Sequence, residues 1–179
     1  MLDIVLHLAI AFGLGPAPSD VEALRRTASE PLRAQVAAEH LTAARAAARQ
    51  YNVDAELLLS IAWHESRYTD ATTTEIGGRV SCGAMTPTPV ARCYHDGVLV
   101  DYLRGAEHLA GWIAAARGNL RAALLGYAGG YTLLRACASG PVLRDRSGGQ
   151  LDLCDTPDVF LWRARWIRRE MERAAKPST

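Results

Sequence analysis

The spacing of apolar residues is the feature that most constrains this fold, because it repeats every three to four positions along most of the chain. Such spacing places apolar side chains on one face of an α-helix. No stretch shows the strict alternation that is typical of a half-buried strand. With 179 residues and 49% of them apolar, the chain can bury one sizeable core. The sequence therefore predicts an all-α domain.

Capping and breaking residues set the expected helix boundaries. Ser19-Asp20 and Asp54 are good helix caps, and Pro31 is suited to the first turn of a helix. Gly129-Gly130 is expected to stop the fifth helix. The predicted helices are about 20–30, 31–50, 55–68, 101–116, 119–127 and 156–174.

Two segments depart from the helical pattern. Residues 69–99 contain a run of three threonines together with several glycines and prolines, which predicts a loop or an irregular hairpin. A loop of this length more often serves function than mere connection. A second loop is expected over 138–155.

The four cysteines indicate the compartment. None of them forms a Cys-x-x-Cys pair, and an even count in loop-like segments favours two disulfides in an oxidising environment. Three connectivities exist; short local loops favour Cys82–Cys93 and Cys137–Cys154. Four reduced thiols in a cytosolic protein are the alternative. Zinc binding by these cysteines fits no common ligand spacing, and no metal is expected.

The N-terminal segment, residues 1–18, is apolar but too short to span a bilayer. It is interpreted either as a secretion signal or as a buried helix, since it has the length of a signal-peptide core but lacks the positive start. Residues 19–176 then form the domain. The net charge of +1 argues against nucleic acid as a partner.

One carboxylate stands out within the third helix. Leu58, Ile61 and Glu65 lie three and four apart, so they share one face, and the two apolar residues make it the core face. Apolar surroundings raise a carboxyl pKa, as a glycosidase acid requires. By itself a glutamate at a helix end is more often a solvated residue. His64-Glu65 does not begin a zinc-protease motif, because position 68 is Tyr.

Further motifs follow Glu65 in a set order. Glu65-Ser66-Arg67-Tyr68 ends a helix, Gly83-Ala84-Met85-Thr86 follows the loop, and Gly126-Tyr127-Ala128 comes about forty residues later. This order resembles the lysozyme-like lytic transglycosylase family, with Glu-Ser-x-aromatic, Gly-Leu-Met-Gln and Ala-Tyr-Asn-x-Gly. The segment 101–112 is also similar to that family's helix after the loop. The resemblance covers roughly residues 50–131.

The resemblance implies a lysozyme-like fold with a cleft for peptidoglycan glycan strands. It implies that Glu65 protonates the glycosidic oxygen and then takes the proton of the muramic acid 6-hydroxyl, so that a 1,6-anhydro ring closes without water. Tyr127 matches a tyrosine that can hydrogen-bond to that glutamate. Gly83 and Met85 match positions that line the cleft, and Thr86 and Thr74 stand near its polar contacts. No cofactor is implied, and the expected protein is a monomer in the periplasm or outside the cell.

Departures from the family pattern leave alternatives open. Thr86 replaces the usual Gln and Ala128 the usual Asn, and the family's loop serine falls at one of the three threonines 72–74. A lysozyme-type hydrolase would need a second carboxylate, for which Asp70 and Glu75 are the nearby candidates. A wall-binding module without catalysis and a plain helical interaction protein are the other hypotheses. Wall remodelling, secretion machinery and phage entry or lysis are equally open as contexts.

The remaining residues have structural interpretations. On the last helix, Trp162 and Trp166 are expected in the core, beside Phe160, Ala164, Ile167 and Met171. Its arginines are expected to form a solvated face or to attract anionic wall polymers. His40 and His108 are expected to be structural. The tyrosines 94, 102 and 131 are candidates for stacking on sugar rings.

Overall fold

The computed structural model describes residues 15–28, 31–69, 73–76, 79–85, 96–139, 143–144, 150–151 and 153–176. Helices dominate this part of the chain, which confirms the predicted helical class. The helices are α1 (Pro18–Thr27), α2 (Ala34–Tyr51), α3 (Ala55–Ser66), α4 (Val98–Ala115), α5 (Leu120–Ser139) and α6 (Thr156–Ala174), with a 3-10 turn at Leu153–Asp155.

Two short antiparallel hairpins accompany the helices. In the first, β1 (Thr73–Ile76) pairs with β2 (Arg79–Cys82); in the second, β3 (Leu143–Arg144) pairs with β4 (Gln150–Leu151). The first confirms the hairpin alternative for the long loop. Strands of two to four residues are too short to display a period of two, which is why the sequence does not reveal them.

The starts of three helices differ from the prediction, and one of them is α4, which begins at Val98 instead of residue 101. α1 begins at Pro18, so Ser19 and Asp20 lie inside its first turn rather than at its cap. Proline suits this position because the first N–H groups of a helix have no intrahelical partner. α2 begins at Ala34 instead of Pro31, since Arg33 still has an extended backbone.

The glycine pair in α5 separates two helical segments. Gly129 and Gly130 leave helical geometry, with φ of +63° at Gly130, and a second helical segment then runs to Ser139. The prediction that a helix stops at this pair is confirmed, but the sequence did not predict the segment that follows. The segment that follows the glycines, Tyr131-Thr-Leu-Leu-Arg-Ala, has enough helix-forming residues to start a new turn at once.

Close helix packing surrounds a single core. α2 packs along α4, α1 and α3 pack against α6, and α4 packs against α5. Small buried side chains of α2, among them Ala37, Ala44 and Ala47, allow its axis to lie close to its neighbours. The fully buried large residues include Leu24, Leu41, Leu58, Ile61, Leu109, Leu124, Phe160 and Ile167.

The last helix confirms part of its predicted pattern and corrects the rest. Phe160, Ala164, Ile167 and Met171 are buried as expected. Trp162 is 54% exposed and therefore lies outside the core. Its neighbour Arg163, expected on a solvated face, is only 8% exposed, and its Nη1 donates to the Thr27 carbonyl at 2.9 Å.

Covalent and terminal features agree with part of the prediction. Cys137 and Cys154 form the expected disulfide. Cys82 is disulfide-bonded too, while Cys93 lies outside the described residues. Residues 1–14 and Tyr94 also lie outside them. Among the helices that the structure describes, none is long and apolar enough to cross a membrane.

Candidate active site at the C-terminal end of α3

Glu65 occupies the last turn of α3, at the edge of a buried face. The carboxylate of Asp54 caps the start of the helix by accepting a hydrogen bond from the Leu57 N–H at 2.9 Å. Leu58 and Ile61 on the same face are fully buried, and Glu65 is half-buried. The prediction that this face turns to the core is confirmed, and it leaves the carboxylate where the core ends.

The end of α3 is fixed by Arg67 and Tyr68. Both residues adopt the left-handed conformation, with φ of +57° and +62°. Arg67 also donates from Nη1 to the carbonyl oxygens of Trp63 and His64, and its backbone N–H donates to the Trp63 carbonyl. The helix therefore ends at Ser66, two residues earlier than the sequence predicts.

The segment Gly83–Met85, directly after β2, is held by two side chains. Tyr127 of α5 donates its hydroxyl hydrogen to the Met85 carbonyl oxygen at 2.8 Å. On the other side, the Asp101 carboxylate in the first turn of α4 accepts from the Ala84 N–H at 3.0 Å. Two separate helices thus fix the backbone of three consecutive residues.

Gly83 is required where it stands. Its φ is +85°, and a Cβ built on it would lie 2.4 Å from the Asp101 carboxylate. Neither the backbone nor the space tolerates a side chain. Met85 is fully buried, and its side chain fills the space that a Cβ on Gly105 would need, at 2.7 Å. Met85 therefore supports the segment from inside the core instead of presenting its side chain to a ligand.

Tyr127 connects this segment to Glu65. Burial raises the pKa of the Tyr127 hydroxyl well above its ordinary value, and the negative charge of Glu65 raises it further. The hydroxyl is therefore a stable donor at neutral pH. The hydroxyl hydrogen is donated to Met85, and the charge of Glu65 acts on the same hydroxyl.

Aromatic and histidine side chains surround Tyr127. The His108 ring lies 5.2 Å from the Tyr127 ring, and Trp112 donates from Nε1 to His108 Nε2 at 3.1 Å. Trp112 in turn contacts Tyr131, which is 62% exposed. These contacts give His108 a structural role, and Tyr131 lies at the surface.

A second buried cluster excludes one of the predicted stacking residues. His40 Nδ1 and the Tyr102 hydroxyl are 2.9 Å apart, and both residues are at most 1% exposed. His40 is structural, as expected. The expectation that Tyr102 stacks on a sugar is wrong, because no part of it reaches the surface.

The structure describes some of the other predicted site residues and not others. Thr74 lies in β1, paired with Ser81, and Glu75 follows it, paired with Val80. Thr86 and Asp70 lie outside the described residues. Ala128 is exposed. Among the side chains that the structure describes, no group of three or more acidic, histidine or cysteine residues could hold a metal ion.

Sequence reasoning missed the parts played by Asp101 and Gly105. Both lie in the segment 101–112 that resembles the family helix, four residues apart and so on one face of α4. Both residues lie in the first turns of a helix that follows a glycine-rich loop. A spacing of four residues at such a place indicates that both contact the same segment, here Gly83–Met85.

Comparison with known proteins identifies no relative of this chain. No protein-family model, no curated protein and no solved structure matches this chain.

Proposed function

We propose that this protein is a peptidoglycan-cleaving lytic transglycosylase with a lysozyme-like fold, in which Glu65 is both the acid and the base. The convergence of three distant sequence motifs carries the proposal. Tyr127 in α5 hydrogen-bonds to Met85 after the hairpin, and the charge of Glu65 at the end of α3 acts on the Tyr127 hydroxyl. The family resemblance requires these same residues to be neighbours.

The half-buried position of Glu65 suits proton transfer. A carboxyl group at the edge of an apolar core is suited to deliver a proton to the glycosidic oxygen. The bond between that oxygen and C1 of the muramic acid breaks. The 6-hydroxyl oxygen then bonds to C1, and its proton returns to Glu65. Protons balance over the cycle, and water is not consumed.

The supporting residues hold the site rather than react. Tyr127 and Asp101 fix the backbone of Gly83–Met85. A rigid segment keeps the sugar in place while the bond breaks, and positioning of this kind is a large part of a catalytic effect.

The disulfide supports a location outside the cytosol. Cys137 and Cys154 are oxidised, as is typical of periplasmic and extracellular proteins. Peptidoglycan is found in the same compartments. We therefore propose a wall-facing monomer that binds glycan strands and no nucleic acid, with its context in wall remodelling, secretion or a phage still to be assigned.

Mass spectrometry of products from purified peptidoglycan tests this proposal. The wild type is expected to release muropeptides with 1,6-anhydro ends. Glu65→Gln removes the proton donor and is expected to lower the rate by about 100- to 10,000-fold, the usual effect of a lost general acid. Glu107→Gln is the matched control, because Glu107 is exposed on α4, and it should retain the full rate.

Other products would change the assignment. Reducing ends in place of anhydro ends would identify a lysozyme-type hydrolase and make Glu75 and Asp70 the candidates for the second carboxylate. Equal, negligible release by wild type and Glu65→Gln, with binding to the wall retained, would identify a binding module. The exposed alanine at position 128, where the family has Asn, favours that module as the second candidate.

A further inference from the structure

A pocket of about 250 Å³ lies between the connection from α1 to α2 and the C-terminal end of α3. Its apolar wall consists of Pro31, Leu32, Val36 and Trp63, and we call it the Trp63 pocket. Trp63 and Glu65 are two residues apart on α3, so their side chains point to opposite sides of the helix. The Trp63 pocket is therefore separate from the proposed active site.

Positive charge lines this pocket. Arg33 and Arg67 face it, and its lining within the described residues contains no Asp or Glu. The Arg33 side chain makes no hydrogen bond or ion pair to any residue in the part of the chain that the structure describes. Arg67 uses Nη1 on helix carbonyls and keeps its other N–H groups for further bonds. Two guanidinium groups beside an apolar wall favour an anion that carries an apolar part.

A third arginine adds to the positive potential from behind the wall. The guanidinium carbon of Arg67 lies 3.9 Å from the Trp63 ring centre, and that of Arg163 lies 3.1 Å from it. Burial lowers the pKa of Arg163, and repulsion from Arg67 lowers it further. An anion in the pocket would offset this repulsion.

Tyr68 also lines the pocket, but its hydroxyl is buried beside Thr27 and is not reached from the surface. Binding in the pocket therefore depends on the arginines and the apolar wall.

We infer that the Trp63 pocket binds the carboxylate end of a short peptide. Arginine pairs with a carboxylate through two parallel hydrogen bonds, and the apolar wall accepts the adjoining side chain. The volume equals roughly eight water molecules, which is below the usual size of pockets for drug-sized ligands and suits one or two terminal residues. Free peptides and the peptide stems of the cell wall both end in a carboxylate next to a side chain.

Binding of N-acetyl-alanyl-alanine with a free carboxylate tests the inference, and the same dipeptide with a C-terminal amide is the control ligand. The readout is the indole N–H resonance of Trp63 in an NMR titration, assigned with Trp63→Phe. The acid is expected to shift this resonance in a saturable way, and the shift should weaken as salt is raised. The amide should leave it unchanged.

Protein variants locate the site. Arg33→Gln and Arg67→Gln are each expected to weaken binding by at least about tenfold, since hydrogen bonds to charged groups are the strong ones. Arg49→Gln is the matched control, because Arg49 is an exposed arginine in the last turn of α2, at the end away from Arg33. Arg33 lies before α2, so Arg33→Gln tests the site even if Arg67→Gln disturbs the end of α3.

Several outcomes would overturn the inference. They are the absence of a saturable shift with the acid, equal binding of the amide, and wild-type affinity in both arginine variants. A soluble muropeptide with an acidic stem distinguishes the two sources: tighter binding than the dipeptide identifies wall stems, and equal binding identifies free peptides. Because Glu65→Gln should bind the dipeptide normally, failure of the proposed enzymatic function would leave this result unaffected.

Discussion

The hydroxyl of Tyr127 donates to the backbone carbonyl of Met85 at 2.8 Å, across 42 positions of sequence. Both groups are buried, so the bond replaces water for each of them. Tyr127 is also close enough to Glu65 for the carboxylate charge to act on it. Tyr127 thus holds the segment after the first hairpin and also responds to the charge at the end of α3.

Tyr127→Phe is expected to lower the free energy of unfolding by about 1–3 kcal/mol, because the Met85 carbonyl would remain buried without a partner. Urea denaturation measures this. Tyr131→Phe is the control. Tyr131 is 62% exposed, and removal of its hydroxyl group should change the free energy of unfolding by less than about 0.5 kcal/mol. Equal stability of the two variants would contradict the importance of this bond. Under the proposed function, Tyr127→Phe should also slow release of muropeptides.

Gly83→Ala and Gly118→Ala form a matched pair. The two glycines have φ of +85° and +82°, but a Cβ at Gly83 meets the Asp101 carboxylate whereas one at Gly118 meets nothing within 4 Å. Both variants carry a left-handed penalty of about 1–2 kcal/mol. Only Gly83→Ala adds a clash, worth about 1–3 kcal/mol more. Chemical denaturation of both variants should show this difference; similar losses would mean that Asp101 moves aside freely.

The Cys137–Cys154 disulfide is expected to stabilise the fold. It closes a loop with a sequence separation of 17, which corresponds to about 3 kcal/mol in the chain-entropy model. The double variant Cys137→Ser/Cys154→Ser should lose about that much in thermal or urea unfolding, and reductant is avoided because it would also break the bond of Cys82. An unchanged unfolding midpoint would show that the loop is already confined without the bond.

Stability is expected to fall as the pH drops below neutrality. Burial lowers the pKa of His108 from the ordinary value of 6.5, and burial together with the nearby arginines 67 and 163 lowers that of His64. The unfolded chain then binds protons more readily than the folded one. This contribution to stability is complete above about pH 6.5 and is lost as the pH falls through the lowered values.

Substitution of His108 tests the predicted direction of the pH dependence of stability. Protonation of Nε2 would also remove the acceptor for Trp112, whereas the amide oxygen of His108→Gln can still accept. Urea midpoints at pH 7.5 and 5.5 should differ less in His108→Gln than in the wild type, and least in the double variant with His64→Gln. Identical pH dependence in all three proteins would refute the assignment.

The sequence predicts local features of this protein well. Its spacing of apolar residues, its caps at positions such as Asp54 and its paired cysteines give the helical class, most helix ranges and one disulfide, because each depends on neighbours in the chain. It also places Glu65 on the face shared with Leu58 and Ile61. These features follow from a fixed helical period.

Features that depend on partners distant in sequence were predicted less well. Arg163 has the sequence context of a solvated arginine, but Trp63 and the Thr27 carbonyl lie where they can stack on it and bind it. Trp162 shares the apolar pattern of the core, yet it is 54% exposed. Whether a side chain is buried depends on which helix packs over it, and the chain-local pattern does not contain that information.

The sequence by itself determined that the chain folds into helices, where most of them run and which face of α3 carries Glu65, since these depend on a repeat of 3.6 residues and on capping groups nearby. Only the tertiary structure decided that Tyr127 binds Met85, that Asp101 holds Gly83–Met85 and that a pocket opens beside Trp63. The physical reason is that these contacts join separate helices, and their geometry exists only after the helices have packed.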